Sequence, residues 1–311
     1  MLGELRRAAN PADELVQVGD GVPYTAAAGA EAAFMMSAGA PFIRGLLDAV
    51  PTIRWLALST AGAEQYVAEG LAARPGLTLT SNPAQGEAVA EYTMALIYVA
   101  AKNLHQYAWA QRQGTWAGSA PWRSGNLDVA GSTLLIYGLG AIGTRLAEIA
   151  AGNRMRVLGI RRTGGPPAPG VESVHAPDRL ADLAAEADFL ALTAPLTPAT
   201  RGAINAAVLA RMKPTAWIVN VARGPLIDEP ALIAALQDHR IGGAAMDTFD
   251  REPLPPAHPY WSLENVIITP HTGGSSSPDR GSRAAGAWAE NLRRFKSGEP
   301  LRRVVSPEAG Y

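Results

Sequence analysis

The stretch Tyr137–Gly164, YGLGAIGTRLAEIAAGNRMRVLGIRRTG, follows the apolar segment STLLI at 132–136 and begins with a glycine-rich turn. The turn has the spacing GxGxxG and leads at once into a pattern typical of an amphipathic helix. A second apolar segment follows and ends at Arg161-Arg162. A strand, a glycine turn and a helix in this order predict the phosphate-binding βαβ unit of a dinucleotide-binding sheet.

Each glycine of this turn has a separate physical role. Gly138 permits the tight turn, Gly140 leaves room for a pyrophosphate against the backbone, and Gly143 lets the helix pack close to the strand. The amides at the helix start, at Ala141 and Ile142, point at the phosphates and are favoured by the helix dipole.

The end of the second strand predicts which dinucleotide is bound. An acidic residue at this place accepts hydrogen bonds from the adenosine ribose and repels a 2′-phosphate. Here the strand ends in Arg161 and Arg162, which offer donors matched to phosphate oxygens. The sequence therefore favours NADP(H) as the preferred cofactor, with NAD(H) still possible.

The rest of the chain alternates strand and helix patterns, which predicts an α/β fold with doubly wound parallel sheets. Most of the strands are nearly continuous apolar runs, as expected when helices cover both faces of a sheet. The predicted strands are Leu15–Val18, Ala32–Met36, Trp55–Leu58, Ser132–Tyr137, Arg156–Ile160, Phe189–Thr193, Ala216–Asn220, Gly243–Asp247 and Val266–Thr269. The predicted helices are Pro41–Val50, Glu64–Ala73, Glu87–Leu104, Ile142–Ala151, Leu180–Glu186, Ala203–Arg211, Glu229–Asp238 and Ser282–Ser297.

Three polar residues follow apolar strands: Arg223 in VNVARGPLID, Glu252 in MDTFDREP and His271 in ITPHTGG. Ligands of open α/β sheets bind at the carboxyl ends of the strands, so the fold is expected to bring these residues together. Reduction of a carbonyl needs a proton donor, and histidine titrates in the right range. A nearby carboxylate favours the imidazolium form, and a guanidinium holds a substrate carboxylate.

Composition excludes several other classes of protein. The chain has 311 residues, a net charge of -1 and no cysteine, which excludes disulfides and thiolate metal sites and argues against binding to nucleic acid or anionic membranes. No signal peptide or membrane-spanning run is present, which favours a cytoplasmic protein. The chain has four other histidines: His105, His175, His239 and His258. Their spacing is not that of metal ligands, and they are expected on the surface or in loops.

Four motifs together resemble the D-isomer-specific 2-hydroxyacid dehydrogenase family. They are GLGAIG at 138–143, TAPLTPATRGAINAAVLARMKPTAWIVNVARG at 193–224, AAMDTFDREPLP at 244–255 and ITPHTGG at 268–274. The resemblance implies that Arg223 orients the substrate and that Glu252 pairs with His271, the catalytic acid/base. It also implies cofactor contacts from Thr193, Pro195, Ala222 and Asp247.

The resemblance further implies two Rossmann-like lobes, in which a cofactor domain at 84–283 is inserted in a smaller substrate domain at 1–83 and 284–311. In LSTAGAEQY at 58–66, the backbone amides of Ala61, Gly62 and Ala63 are similar to those that bind the substrate carboxylate. GEPL at 298–301 resembles the tail that returns to the first lobe. Members are usually homodimers that join through the cofactor domain.

Arg161 favours the branch of NADPH-dependent glyoxylate and hydroxypyruvate reductases, which act on small 2-keto acids. Glu252, rather than glutamine, argues against a formate dehydrogenase. Two alternatives stay open: an NAD-dependent enzyme similar to phosphoglycerate dehydrogenase, and a dinucleotide-sensing regulator without activity.

Two local features concern the substrate lobe and the substrate pocket. The start MLGELRRAA has a helical pattern where the family usually begins with a strand. Trp116 and Trp122 lie in one loop and either close the substrate pocket, from the same or a neighbouring subunit, or serve packing alone.

Overall fold

The chain folds into two compact units, Met1–Gln85 with Ser277–Tyr311 and Gly86–Ser276. The computed structural model describes residues 5–6, 9, 13–19, 21–35, 39–82, 84–120, 125–163, 166–274 and 280–308. Strands within these residues are β1 (Ala32–Phe34), β2 (Trp55–Ala57), β3 (Thr78–Thr80), β4 (Thr133–Tyr137), β5 (Arg156–Ile160), β6 (Ser173–His175), β7 (Phe189–Leu192), β8 (Trp217–Asn220), β9 (Gly243–Met246) and β10 (Val266–Ile268).

The α-helices alternate with these strands over most of the chain. Those within the described residues are α1 (Ala40–Ala49), α2 (Glu64–Ala68), α3 (Gly86–Ala101), α4 (Leu104–Arg112), α5 (Ala141–Gly152), α6 (Leu180–Ala184), α7 (Ala206–Arg211), α8 (Glu229–Gln237) and α9 (Arg280–Ser297). In this part of the chain, no helix combines the length and the apolar character needed to cross a bilayer.

The larger unit is built on a parallel sheet with the strand order β10-β9-β8-β7-β4-β5-β6. The chain moves outward from β4 through β5 to β6, then returns and moves outward in the other direction from β7. The order therefore reverses between β4 and β7, where open α/β sheets bind their ligands. The predicted α/β fold with a doubly wound sheet is confirmed.

Helices cover both faces of this sheet, which explains the unbroken apolar runs. Leu135 packs into the core cluster on one face, and its neighbours Leu134 and Ile136 pack into the cluster on the other. All three side chains are fully buried. Because successive strand side chains point to opposite faces, a strand buried on both sides needs an apolar residue at each position.

The smaller unit contains a parallel sheet in the order β1-β2-β3. Two buried tryptophans fix its core. The Trp55 indole donates to Thr80 Oγ1 at 2.9 Å, and the Trp288 indole, from α9, donates to the carbonyl of Leu58 at 2.9 Å. The helix near the end of the chain thus belongs to the same unit as the first strands.

Three predictions about local structure are wrong. The predicted helix Glu64–Ala73 ends at Ala68, because Gly70 is left-handed with a φ of 76° and a separate 3-10 turn follows at Leu71–Ala73. Leu15–Val18 forms no strand; Leu15 and Val16 are exposed and have no neighbouring strand to pair with. The predicted helix Glu87–Leu104 ends at Ala101, and α4 begins after Asn103, whose φ of 50° is left-handed. A left-handed residue cannot continue a right-handed helix, so the chain turns there.

His105 lies on a helix and not at the predicted surface or loop position, whereas His258 lies in a loop as predicted but is largely buried. His258 has a side chain that is 14% exposed and stacks beside Tyr260 with ring centroids 4.6 Å apart. His105 lies on α4, edge-on to Trp217, and its Nδ1 is buried without a hydrogen-bond partner in the described structure. Burial lowers the pKa of His105 below its ordinary 6.5.

Acidification is expected to destabilise the larger unit through His105. The unfolded chain protonates this imidazole below about pH 6.5, whereas burial lowers the pKa of His105 in the folded protein, so that it takes up a proton only at a lower pH. The unfolded state then binds more protons, so stability is lost as the pH falls from 6.5 through the folded pKa. Melting temperatures measured across this range should fall less steeply in His105→Phe than in the unmodified protein. The exposed His239→Asn is the control, and an equal slope in all three proteins would refute the assignment.

Candidate active site

The turn between β4 and α5 has the geometry that its glycines predict. Gly138 has a φ of 112°, and a Cβ there would lie 2.5 Å from the nitrogen of Ala194. A Cβ at Gly143 would lie 2.0 Å from the carbonyl oxygen of Gly138. Thr193, predicted as a cofactor residue, donates from Oγ1 to that same carbonyl at 2.6 Å. These contacts leave no room for a larger residue at Gly138 or Gly143, and α5 packs closely against β4.

The third glycine is different, because it borders open space. A Cβ at Gly140 would have no heavy atom within 4 Å. Gly140 is the N-cap of α5, and no side chain caps this helix, whereas Asn205 and Asp228 cap α7 and α8. The first amides of α5 are therefore directed at a space that a phosphate group fits. The residues present suit a bound dinucleotide.

The two arginines begin directly beside this turn. The carbonyl of Ile160 accepts a hydrogen bond from the nitrogen of Gly138 at 2.9 Å, and Arg161 is the next residue. The backbone nitrogen of Arg161 donates to the carbonyl of His175 on β6 at 3.1 Å. Arg161 is half-buried and Arg162 is exposed. Both therefore lie at the carboxyl end of β5, one strand away from the glycine turn.

A buried asparagine shapes the loop that carries Arg223. Asn220, at the end of β8, accepts from the nitrogen of Ala222 at 3.1 Å and donates to the carbonyl of Arg223 at 3.0 Å. A Cβ at Gly224 would lie 2.0 Å from the carbonyl carbon of Phe249, so this loop packs tightly on the one that leads to Glu252. Asn220 stands in the VNVARG segment and was not predicted as a site residue.

The structure brings Glu252 and His271 together. Nδ1 of the imidazole lies 2.7 Å from Oε2 of the carboxylate, and Oε1 accepts from the backbone nitrogen of Phe249 at 2.9 Å. The histidine side chain is 47% exposed and the glutamate 35%, so the pair is accessible to a ligand. With Nδ1 bound to the carboxylate, Nε2 is left to exchange a proton with a substrate.

Asp247 is nearly completely buried, with 2% of its surface exposed. Its carboxylate accepts from Thr269 Oγ1 at 2.6 Å and from the backbone nitrogens of Thr272 and Gly273, each at 3.0 Å. These partners lie on both sides of His271 in the chain. Asp247 therefore has well-defined protein contacts besides the nicotinamide contact that the family resemblance implies.

The loop predicted to bind a substrate carboxylate lies in the smaller unit. Among the hydrogen bonds of the described residues, none uses the backbone N–H of Ala61, Gly62 or Ala63. The carbonyl of Gly62 accepts from Thr60 Oγ1 at 2.8 Å, and the carbonyl of Thr60 accepts from the nitrogen of Asn82 at 2.8 Å. The carbonyl groups of Thr60 and Gly62 are thus fixed by the protein's own hydrogen bonds.

Other predicted residues are less informative. Pro195 accepts from Thr200 Oγ1 at 2.7 Å, which orders the loop after β7. Trp116 is 95% exposed, whereas Trp122 lies outside the described residues. Within the residues that the structure describes, no group of three or more metal-ligating side chains could hold an ion.

Comparison with known proteins identifies the family of the chain. Residues 94–273 match the family model described as the NAD-binding domain of D-isomer specific 2-hydroxyacid dehydrogenases. A glyoxylate reductase of Korarchaeum cryptofilum is 37% identical over 273 residues, which is 86% of this chain and 80% of the relative.

Solved structures of the same class are also similar. The NADPH-dependent glyoxylate/hydroxypyruvate reductase of Sinorhizobium meliloti, in complex with NADP and sulfate, has a TM-score of 0.81 and 25% identity, covering 100% of this chain and 97% of its own. A D-isomer specific 2-hydroxyacid dehydrogenase of Xanthobacter autotrophicus Py2, in complex with NADPH and MES, has a TM-score of 0.79 and 29% identity, covering 100% and 95%. The chain belongs to the D-isomer specific 2-hydroxyacid dehydrogenase family of NAD(P)-dependent oxidoreductases.

Proposed function

We propose that this enzyme reduces a small 2-keto acid to the D-2-hydroxy acid, with NADPH as the preferred cofactor. The observation that carries the proposal is the 2.7 Å pair between His271 and Glu252 at the carboxyl edge of the sheet. A histidine held by a carboxylate at this edge, in a fold with a phosphate turn, suits proton transfer beside a nicotinamide. Relatives named glyoxylate reductase support the substrate class.

Three side chains have separate roles in the proposed reaction. The reduced nicotinamide, when bound, supplies a hydride to the carbonyl carbon. His271 donates a proton from Nε2 to the carbonyl oxygen, and Glu252 stabilises the imidazolium before transfer and orients the ring. Arg223 holds the substrate carboxylate and polarises the carbonyl. The amides of Ala61, Gly62 and Ala63 are proposed to bind a substrate carboxylate.

The remaining predicted residues would hold the dinucleotide within the domain proposed at 84–283. The turn formed by Gly138 and Gly140 and the first amides of α5 would hold the phosphates. The nicotinamide end is proposed to contact Thr193, Pro195, Ala222 and Asp247. Residues 1–83 and 284–311 form the proposed substrate domain.

NADPH is preferred in this proposal because of the charge at the end of β5. Arg161 and Arg162 offer two guanidinium groups to a 2′-phosphate and no carboxylate that would repel it. Two similar solved structures hold NADP or NADPH.

A homodimer remains part of the proposal. It would join through the cofactor domain, where Trp109 and Trp116 are 64% and 95% exposed. Large exposed aromatic groups are more common at interfaces between subunits than on free surfaces.

Glyoxylate and hydroxypyruvate are expected to be the best substrates in a panel of 2-keto acids. The 61–63 turn offers amides but no large side chain, so a compact acid gains most from it. Initial rates with NADPH and NADH against glyoxylate, hydroxypyruvate, phenylpyruvate and a branched keto acid measure the discrimination as kcat/KM. A faster rate with phenylpyruvate would overturn the small-substrate proposal, and no turnover with any keto acid would overturn the enzymatic one.

A further inference from the structure

The loop that carries His271, residues 269–273, is held in an unusual conformation. His271 has a φ of 53°, in the left-handed region that β-carbon-bearing residues seldom adopt. Its nitrogen donates to the carbonyl of Thr269 at 3.1 Å, which closes a tight turn. Such a conformation persists only when surrounding contacts determine it. The question is which contacts hold it.

Asp247 supplies the first set of contacts, from inside the unit. The side chain of Thr269 and the amides of Thr272 and Gly273 all donate to this buried carboxylate. Hydrogen bonds to Asp247 thus hold the loop on both sides of His271. Because the acceptor is a charged carboxylate, these hydrogen bonds are stronger than neutral ones.

Tyr92, on α3, supplies a second contact from a different element. Its hydroxyl lies 3.3 Å from Oγ1 of Thr272, the residue that follows His271. Its ring covers Gly273 so closely that a Cβ there would lie 3.1 Å from Cδ1 of Tyr92. The ring of Tyr92 therefore packs on Gly273, and its hydroxyl lies within hydrogen-bond distance of Thr272.

The helix that carries Tyr92 is itself firmly packed. Val89, Ala90, Met94 and Ile97 of α3 are buried in the core cluster on one face of the large sheet. At its start, Gly86 packs against Ala141, where an added Cβ would lie 3.4 Å from the alanine Cβ. Tyr92 therefore contacts the loop from a well-packed helix, α3. This helix also packs against α5, which follows the phosphate turn.

We propose that Tyr92 is a positioning residue for His271, acting through Thr272 and together with Asp247. Its hydroxyl and ring hold the loop so that the imidazole stays paired with Glu252 and aimed at the substrate. Small displacements of a proton donor lower turnover because proton transfer requires short, aligned contacts. This inference rests on the proposed function, since it concerns the same acid/base.

The test compares variants that remove the same hydrogen bond from either side. Tyr92→Phe keeps the ring over Gly273 and removes the hydroxyl, and Thr272→Val removes the partner oxygen. Each is expected to lower kcat for keto-acid reduction about 3- to 10-fold, with the KM for NADPH changed less than about 2-fold. The double variant should be no slower than the single ones, because both delete one interaction. Thr272→Ser keeps the oxygen and should restore kcat.

Tyr98→Phe is the matched control. Tyr98 lies on the same helix, and its hydroxyl donates to Asn153 Oδ1 at 2.6 Å, away from the 269–273 loop. Equal losses in Tyr98→Phe and Tyr92→Phe, multiplicative losses in the double variant, or an unchanged kcat in Tyr92→Phe would each overturn the inference. His271→Ala is measured in parallel. If it is inactive while Tyr92→Phe is unaffected, only the positioning role fails. If it is fully active, the proposed function fails and the positioning role fails with it.

Discussion

Replacing His271 with alanine is expected to lower kcat for reduction of a 2-keto acid by about two to four decades, the usual contribution of a positioned acid/base. The imidazole is the proton donor in the proposed reaction, and its geometry depends on the 2.7 Å contact with Glu252. Without it, the developing charge on the carbonyl oxygen has no proton donor at that position. Initial rates at saturating keto acid and NADPH give kcat, and fluorescence titration with NADPH shows that cofactor binding is retained.

A second variant separates chemistry from backbone strain. Because His271 is left-handed, His271→Asn tolerates the conformation better than alanine. His239 is also left-handed, with a φ of 50°, and His239→Asn is therefore the matched control. We expect His271→Asn to be as impaired as His271→Ala and His239→Asn to be fully active. A folded His271 variant that keeps most of its activity would show that another group is the acid/base.

Exchanging the arginines at the end of β5 is expected to reverse the cofactor preference. In the double variant Arg161→Asp/Arg162→Ala, the affinity for NADPH should fall at least tenfold more than the affinity for NADH. Each charge-assisted hydrogen bond to the 2′-phosphate contributes about 1.5–3 kcal/mol, and about 1.4 kcal/mol corresponds to a factor of ten. The new carboxylate also repels the 2′-phosphate and accepts hydrogen bonds from a free ribose.

The control for this exchange is a surface arginine elsewhere in the same unit. Arg211, at the end of α7, is exposed with a side chain 56% accessible, and Arg211→Ala should leave both affinities unchanged. Dissociation constants for NADPH and NADH are measured at several salt concentrations, since screening weakens a charge contact. Equal affinity of the unmodified protein for the two cofactors would contradict the role given to the arginines.

The sequence was most informative where local pattern and chemistry coincide. The GxGxxG turn was predictable because only glycine fits at Gly138 and Gly143, where added side-chain atoms would overlap the backbone. The strands of the large sheet other than β6 were predictable because burial on both faces forces unbroken apolar runs. The polar residues Arg223, Glu252 and His271 stand out because each follows such a run.

Short elements and breaks in helices were harder to predict. β3 and β6 were not predicted. Each has one apolar residue between two polar ones, whereas the other three-residue strands, β1, β2 and β10, are apolar throughout. The separation of α3 from α4 depends on the left-handed Asn103, which no periodicity reveals. Leu15–Val18 has the apolar composition of a strand and lacks a partner, which only the fold determines.

Contacts between distant segments were the least accessible to sequence. Tyr92 and Thr272 are separated by 180 positions, and only the packing of α3 beside the loop unites them. Asn220 is a polar residue in an apolar strand. This pattern predicts a buried side chain with hydrogen-bond partners, but it does not predict which groups the partners are. The residues that support the site therefore emerge from the structure, whereas the residues proposed to react are visible in the sequence.

The most direct test of the proposed acid/base pair is kcat for keto-acid reduction in Glu252→Gln, measured at one pH with saturating keto acid and NADPH. Glutamine keeps an oxygen that can accept from Nδ1 and removes the charge that stabilises the imidazolium, so proton donation by His271 should be slower. Asp250→Asn removes an exposed carboxylate two residues away and is the control. We expect kcat to fall at least about tenfold in Glu252→Gln and to stay unchanged in the control. Equal kcat values for all three proteins would contradict the pairing of Glu252 with His271 as the acid/base system.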